Sequence, residues 1–204
     1  MQINFTEKES QLQKIFLKSA IGFFYMEENM PKIQLFEVDN NYIQYLQQFD
    51  NKILNHYGVN YVKSRKYLGI LIHINDCDYV APLSSPNPKT DYDNGIIRKS
   101  IIPIIRIIKL GKKTKLLGTI KLTSMIPIYD SAVLNYYDVN NETDIKYKNL
   151  VLDELRFIYA NKNKIFQNAN KLYQQKINNM SMGYIKNTVD FQLLEEKAKL
   201  YQKP

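Results

Sequence analysis

The sequence YLGILIHINDCDYVAPLSSPNPK, residues 67–89, is the stretch from which the rest of the fold can be worked out. Residues 67–74 are rich in aliphatic, β-branched and aromatic side chains, which is typical of a strand. The polar residues 75–78 supply turn chemistry, and a second apolar run follows them. The pattern predicts a hairpin over residues 67–83 that leads directly to Ser84 and Ser85.

Three prolines restrict the backbone around these two serines. Proline fixes φ and lacks a backbone donor, so the apolar run that ends at Pro82 cannot simply continue as a strand. Pro86 holds Ser85 in an extended conformation, and Pro88 stiffens the exit. A hydroxyl on such a backbone is presented at low entropic cost. The same composition also occurs in ordinary surface loops, so this stretch alone leaves both interpretations open.

Helical patterns lie on both sides of this region. We expect a first helix over residues 7–24 and a second that begins at residues 39–41 and carries apolar residues up to Leu54. Helical periodicity returns over residues 147–172 with a break near 161–164. Asp190 is expected to cap a last helix.

Short strands fill the region between the helical patterns. They are expected, besides the hairpin, at residues 32–38, 101–108, 116–122, 125–128 and 132–139. Pro103 suits an edge strand or the start of a strand. Strands grouped in this way indicate an α+β fold and disfavour a parallel doubly wound sheet.

The charge balance favours an anionic partner. Lys and Arg outnumber Asp and Glu by 28 to 20, a formal net charge of +8 over 204 residues, which is most simply one domain. Nucleic acid or an anionic membrane surface would fit this charge, and solubility alone is the alternative. Cys77 is the only cysteine, which excludes a disulfide framework. The absence of a signal peptide and of transmembrane-length apolar runs predicts a cytoplasmic protein.

Several catalytic motifs are missing from the sequence. It contains no Walker A phosphate loop, no GxGxxG after a strand, no HExxH and no GxSxG. A paired-histidine mechanism would need His56 and His73, the only two histidines, to meet at one site. The carboxylates show no metal-ligand spacing, so we expect no metal and no other cofactor.

The remaining polar side chains, which are tyrosine, lysine, arginine and serine, can still cleave RNA. RNA supplies its own nucleophile, the 2′-hydroxyl, which attacks the adjacent phosphorus. The protein then needs to supply a base, an acid and donors for the oxygens of the phosphorane. Arginine suits the last task through its planar fork.

Ordered blocks of the sequence resemble the ToxN/AbiQ-type endoribonuclease toxins of bacterial type III toxin–antitoxin and phage-abortive systems. The resemblance spans about residues 33–201, and its most telling block is YVAPLSSP at 79–86. The other blocks are YIQYL with FD at 42–50, YLGI at 67–70, MIPI at 125–128, YKNL at 147–150 and DFQLLEE at 190–196.

The resemblance implies a compact, highly twisted antiparallel sheet or barrel core, like that of the MazF and Kid toxins, packed by helices. It separates a helical extension at residues 1–31 from a ToxN/AbiQ-like domain at residues 32–204. It further implies a sequence-specific, metal-independent endoribonuclease in the bacterial cytoplasm that leaves a 2′,3′-cyclic phosphate. Such a toxin is inhibited by a repeated pseudoknot RNA antitoxin, which it processes. Toxin and RNA would form a closed 2:2 or 3:3 assembly, without a membrane or DNA partner.

The resemblance also assigns catalytic positions. Ser85 matches the active-site serine of the family, and Ser84 matches the hydroxyl residue before it. Tyr61 matches the tyrosine that shortly precedes the glycine-containing strand, and an ordinary core tyrosine is the alternative. Arg65 stands where a relative has lysine, and Lys66 beside it is the candidate substitute.

Four further residues are expected to bind RNA. Tyr42 matches a tyrosine of the family's early helix, where an ordinary core tyrosine is the alternative. Asn87 stands where a lysine often follows the serine–proline pair, and Lys89 is the candidate to compensate for it. Lys63 belongs to the basic stretch before the hairpin.

Two other functional classes stay open at this point. A non-catalytic RNA-binding module would use the same basic face and would bind RNA with a steep dependence on salt. A structural protein whose charge serves solubility would not retain RNA at moderate salt.

Overall fold

Nine strands and five α-helices make up the described part of the chain, which is residues 33–54 and 67–203 of the computed structural model. The strands are β1 Leu35–Val38, β2 Tyr67–Ile74, β3 Cys77–Ser84, β4 Tyr92–Asp93, β5 Ile96–Ile97, β6 Ile104–Lys109, β7 Lys115–Lys121, β8 Ile126–Ile128 and β9 Leu134–Tyr136. The helices are α1 Asn40–Gln47, α2 Pro88–Asp91, α3 Ile145–Ala160, α4 Lys162–Ile177 and α5 Phe191–Leu200. The helix predicted at residues 7–24 lies outside the described residues.

Seven of the strands form one antiparallel sheet. Its order is β6-β7-β3-β2-β1-β9, and β8 pairs with β3 off this path. The predicted α+β class is therefore confirmed. Of the two cores that were expected, a twisted sheet or a barrel, the structure has the sheet. It is not a closed barrel, because among the described residues the edge strands β6 and β9 do not pair with each other.

The predicted hairpin is confirmed as β2 and β3. Their register runs from Gly69 opposite Pro82 to Ile74 opposite Cys77. The turn uses Asn75 with a φ of 52°, a left-handed conformation that asparagine tolerates better than most residues. Strand β3 ends at Ser84, so Ser84 and Ser85 lie at the end of the hairpin, as the sequence pattern predicts.

The pair of strands after the serine segment is also confirmed. Strands β6 and β7 are antiparallel, with a register shift between Ile107 and Ile108. Pro103 directly precedes β6, and β6 is the edge of the sheet, which is where a residue without an N–H is tolerated.

Helix α1 is shorter than predicted. Asp39 caps it as expected, but it ends at Gln47 and does not extend to residue 54. The carboxylate of Asp50 instead accepts the amides of Lys52 at 2.9 Å and Asp190 at 2.7 Å, which holds the chain in a turn. Burial alone would raise the pKa of Asp50, but these donors outweigh it and hold the pKa below its ordinary value.

The C-terminal helical region has the predicted break. Helices α3 and α4 are separated at Asn161, and α3 begins at a cap formed by Asp144. Asp190 caps α5 by accepting the amide of Leu193 at 3.2 Å. No helix in the described ranges is long and apolar enough to cross a membrane.

The last helices hold the hairpin from one side through an aromatic cluster. Tyr79 of β3 packs edge-to-face on Phe191 at 5.8 Å between ring centroids, and Tyr173 stacks on Phe191 at 5.5 Å. The hydroxyls of Tyr79 and Tyr173 both donate to the carboxylate of Glu195. Burial, together with the bond to Glu195, raises the pKa of Tyr173 to about 12. The strand that ends at the serine pair is thereby fixed to α4 and α5.

Candidate active site

The serine pair lies where β3 changes its neighbours. Pro82 is the last residue of β3 opposite β2, and Leu83 and Ser84 then pair with Ile120 and Thr119 of β7. Ser84 is half-buried at the end of the strand. Ser85, the next residue, is exposed. Ser85 therefore lies immediately beyond the last paired residue of β3.

A closed turn follows Ser85. Asn87 caps α2: its side-chain oxygen accepts the amide of Lys89 at 2.9 Å, and its own amide donates to Asp91 at 2.8 Å. The side chain of Asn87 thus has a structural use at the position where a lysine was expected. Lys89 is exposed on the same turn, so its ammonium group is available to an anion near Ser85.

Arg106 of β6 reaches this turn from the edge strand. Its guanidinium donates to the backbone oxygens of Lys99 at 2.7 Å and Thr90 at 3.0 Å, and it pairs with Asp91 at 3.2 Å. Arg106 and Asp91 are both 5% exposed at the side chain. The sequence reasoning missed this ion pair.

An open cleft of about 720 Å³ lies beside the turn. Its lining comes from α2, the β4–β5 hairpin, the segment between β5 and β6, and β6 itself. It consists of Thr90, Asp93, Asn94, Ile96, Ile97, Arg98, Lys99, Ile101, Ile104 and Arg106. Ile96 is 72% exposed and Ile101 is 50% exposed. The cleft therefore combines apolar surface with the cations Arg98 and Lys99.

The opposite side of the strand end touches α3. A Cβ atom added to Gly118 of β7 would lie 2.5 Å from Oε1 of Glu154 and 3.0 Å from the backbone oxygen of Ser84. Glu154 is fully buried. The absence of a side chain at residue 118 is what allows Glu154 to approach the last pairing of β3.

Tyr42 lies in the core and not at this strand end. It is 2% exposed, its hydroxyl donates to the backbone oxygen of Pro127 at 2.6 Å, and its ring packs edge-to-face on Tyr201 at 4.9 Å. Burial raises the pKa of Tyr42 well above its ordinary value. These are the contacts of a core tyrosine, the alternative to the RNA-binding role that the family resemblance implies for Tyr42.

We expect Tyr42→Phe to lower the free energy of unfolding by about 1 kcal/mol, because the buried oxygen of Pro127 loses its donor. RNA affinity should stay unchanged. Urea unfolding and RNA titration measure the two quantities, and Tyr136→Phe, at a tyrosine that is 60% exposed, is the control. A fall in RNA affinity at unchanged stability would restore the RNA-binding role.

The other predicted residues divide into two groups. Ser84, Ser85, Asn87 and Lys89 lie together on one short segment. The remaining four, whose roles stay predictions, lie outside the described residues: Tyr61, Lys63, Arg65 and Lys66. Within residues 33–54 and 67–203, no three His, Cys, Asp or Glu side chains are grouped so that they could hold a metal ion.

The described part of the site suits binding of a phosphodiester. An exposed hydroxyl can donate to a non-bridging oxygen, and a nearby ammonium group can neutralise its charge. A serine hydroxyl is a poor base at neutral pH, so hydrogen-bond donors and a cationic group are what the described residues can offer such a ligand.

The family of the chain follows from a match along most of its length. Residues 34–199 match the model of the ToxN toxin of type III toxin–antitoxin systems, so the chain belongs to the ToxN family. The match contains the whole described sheet and the serine segment.

Two relatives match this chain along most of its length. The chain is 31% identical over 171 residues to the endoribonuclease ToxN of Pectobacterium atrosepticum, which covers 84% of this chain and 95% of that protein. It is 28% identical over 184 residues to the endoribonuclease AbiQ of Lactococcus lactis subsp. lactis, which covers 89% of this chain and 96% of that protein.

Solved structures agree with the fold. One, from work on a processed non-coding RNA that regulates a bacterial antiviral system, superposes with a TM-score of 0.69 at 28% identity. It covers 84% of this chain and 100% of that chain. Another, from work on selective toxin inhibition by a non-coding RNA pseudoknot in type III systems, has a TM-score of 0.66 at 25% identity. It covers 84% of this chain and 98% of that one.

Proposed function

We propose that this chain is a sequence-specific, metal-independent endoribonuclease toxin of a type III toxin–antitoxin system. The observation that carries the proposal is the exposed hydroxyl of Ser85 at the end of β3, in a chain that belongs to the ToxN family. The two relatives named above are both endoribonucleases, which supports the same reaction here.

The reaction is an internal transesterification. The 2′-oxygen of one nucleotide attacks the adjacent phosphorus while the bond from phosphorus to the 5′-oxygen breaks. A base takes the 2′-proton and an acid gives a proton to the leaving 5′-oxygen. The products are a 2′,3′-cyclic phosphate and a 5′-hydroxyl. No metal is needed to create the nucleophile.

Each residue of the proposed site has its own task in this reaction. Ser85 donates to a non-bridging oxygen, where negative charge grows in the transition state. From the family resemblance, Tyr61 and Arg65, or Lys66 in its place, orient the 2′-hydroxyl and stabilise the phosphorane. Ser84 positions the backbone at the strand end.

The cleft next to α2 fits the adjoining nucleotide. Its cations Arg98 and Lys99 suit the next phosphate, and its exposed isoleucines suit a base or ribose. Lys89, on the turn itself, and Lys63 add cationic groups that position the RNA backbone. The net charge of +8 supports an extended RNA contact.

The inhibitor that we propose is an RNA of repeated pseudoknots, which the toxin processes. Selective inhibition by a non-coding RNA pseudoknot is described for a structural neighbour of this chain. We infer a closed 2:2 or 3:3 toxin–RNA assembly in the bacterial cytoplasm. Residues 1–31 precede the family match and are proposed as a helical extension to a domain over residues 32–204.

The purified protein is expected to cleave single-stranded RNA in the presence of EDTA. The new 3′ ends should resist phosphatase until acid opens the cyclic phosphate, because a cyclic diester has no terminal phosphate group. An RNA with a 2′-deoxy residue at the cleavage position is the matched control and should stay intact, since it lacks the nucleophile. Cleavage that stops in EDTA, or that leaves 3′-hydroxyl ends, would overturn the mechanism. RNA binding without cleavage would support the non-catalytic module.

A further inference from the structure

Arg106 is a buried cation in an apolar strand. It is 5% exposed and stands between Ile105 and Ile107, which are 4% and 0% exposed. Taking a cation out of water costs several kcal/mol unless a partner compensates. Asp91 is that partner: its Oδ1 lies 3.2 Å from Nη2 of Arg106, and it is equally buried. A pair at this depth constrains the two segments that it joins.

Asp91 passes this constraint to the residues after Ser85. While Oδ1 pairs with Arg106, Oδ2 accepts the amide of Asn87 at 2.8 Å. Arg106 also donates to the backbone oxygen of Thr90, the neighbour of Asp91, at 3.0 Å. Asn87 follows Ser85 by two residues, and Pro86 between them has a restricted φ. The chain leaving Ser85 is thus anchored to β6.

The strand before Ser85 meets the same arginine through β7. Arg106 stands directly opposite Thr119, and Thr119 stands directly opposite Ser84. Residues directly opposite in an antiparallel pair share one face, so the three side chains form a row across β6, β7 and β3. A slip of one residue would exchange the polar row with the buried apolar residues of the other face, which are Ile105, Ile120 and Leu83, so the register is strongly specified.

Two buried polar atoms of this row have no hydrogen-bond partner among the described residues. Thr119 is 1% exposed, and its hydroxyl has no hydrogen-bond partner there. The same is true of Nε of Arg106. Apolar side chains of similar size would avoid the cost of these two atoms, so stability alone does not account for a polar row next to the serine pair.

We propose that Arg106 and Asp91 are positioning residues for cleavage, which hold both flanks of Ser85 so that its hydroxyl meets the scissile phosphate. This inference rests on the proposed function of Ser85. Arg106 is linked to Ser84 through Thr119 of β7, which pairs with both strands. It is linked to Asn87 through Asp91, which accepts the Asn87 amide. Misplacement of a catalytic group by about 1 Å can lower a rate by 10²-fold, which is the scale on which such an anchor acts.

The first test is Arg106→Lys. Lysine keeps the charge but loses the planar fork, so it cannot bind Asp91, Thr90 and Lys99 together. We expect kcat for RNA cleavage to fall by about 10- to 100-fold, with KM changed by less than about threefold. Although Arg106 lines the cleft, its guanidinium is bound to Asp91, Thr90 and Lys99, and the phosphate contact of the cleft is assigned to Arg98 and Lys99. Lys109→Met, which removes an exposed cation from the same strand, is the matched control and should leave kcat unchanged. An unchanged kcat in folded Arg106→Lys would overturn the proposal.

The double variant Arg106→Met/Asp91→Leu separates positioning from stability. Apolar replacement of a buried ion pair is often neutral or stabilising, so this protein should fold, as urea unfolding will show. We expect its kcat to stay as low as that of Arg106→Lys. If stability and kcat both return to the wild-type values, the pair is only structural and the proposal fails. If the double variant is unfolded, Arg106→Lys decides the matter.

Amide hydrogen exchange tests the anchor without reference to activity. The Asn87 amide should exchange at least 10-fold faster in Asp91→Leu than in wild type, because its acceptor is lost. The Leu193 amide, which is capped by Asp190, is the internal reference. Unchanged exchange at Asn87 would overturn the anchor even in an active enzyme. If the Asn87 amide exchanges faster in Asp91→Leu but the wild-type protein cleaves no RNA, the anchor is supported and the proposed function is refuted.

Discussion

Ser85→Ala is expected to lower kcat for RNA cleavage by about 10²- to 10³-fold, the loss seen when one donor to a developing oxyanion is removed. Ser85 is exposed, so the substitution takes away a hydroxyl without opening a cavity. The free energy of unfolding should therefore change by less than about 0.5 kcal/mol. Single-turnover cleavage of an RNA oligonucleotide, together with urea unfolding, measures both quantities.

The control for this experiment is Ser181→Ala, at an exposed serine in the segment before α5. It should leave both the rate and the stability unchanged. Ser85→Thr keeps a hydroxyl and should retain more activity than Ser85→Ala. If Ser85→Ala cleaves RNA at the wild-type rate, the hydroxyl has no place in the transition state and the site must be sought elsewhere.

Gly69→Ala is expected to lower the free energy of unfolding by about 3 kcal/mol or more. A Cβ atom at residue 69 would lie 2.5 Å from the backbone oxygen of Ala81 and 2.6 Å from Cγ1 of Val80. The first of these atoms is backbone within the β2–β3 ladder, where Ala81 pairs with Ile70, so it cannot turn away as a side chain can. The strands must separate or shift, and Ser84 lies only two residues beyond Pro82, the partner of Gly69.

Gly183→Ala is the matched control, because a Cβ atom there meets nothing within 4 Å. We expect its stability to stay within about 0.5 kcal/mol of the wild type, as for other open surface sites. Urea unfolding followed by circular dichroism compares the two variants. Equal stabilities would show that the hairpin accommodates the added methyl group and that its packing is looser than described.

The hairpin and the helical region were predictable because their signals are local. Alternation, turn residues and helical periodicity act over a few positions, so the β2–β3 hairpin and the helical region over residues 147–172 followed from sequence pattern. The early end of α1 was not predictable, because Asp50 is held by the amide of Asp190, a partner 140 residues away. A local sequence pattern gives no information about a contact between residues so far apart.

The β4–β5 hairpin had a local signal that was overlooked. Asn94 and Gly95 have φ values of 48° and 79°, which is the conformation that the Asn-Gly pair favours in two-residue hairpins. The two flanking strands have only two residues each, which is too short for alternation to be recognised. The turn was therefore the only available indicator.

The candidate site was only partly predictable. The prolines and the family blocks pointed to Ser84 and Ser85, and both lie at the end of β3. Arg106 had a signal, since it is a lone charge within an isoleucine-rich run, but its partner Asp91 lies 15 residues earlier and is identified only by the fold. Tyr42 shows the converse: a family match alone does not tell whether a tyrosine hydroxyl faces substrate or a backbone oxygen of the core.

The bonds from Tyr79 and Tyr173 to Glu195 also bear on the order of folding. Tyr79 and Glu195 are 116 residues apart in the chain, whereas β2 and β3 are joined by a two-residue turn. The hairpin can form early, but contacts across long loops close late. During synthesis β3, the strand that leads to the serine pair, would acquire this one contact only after α5 has emerged and docked. The proposed RNA cleavage would then reach its full rate only after that late step.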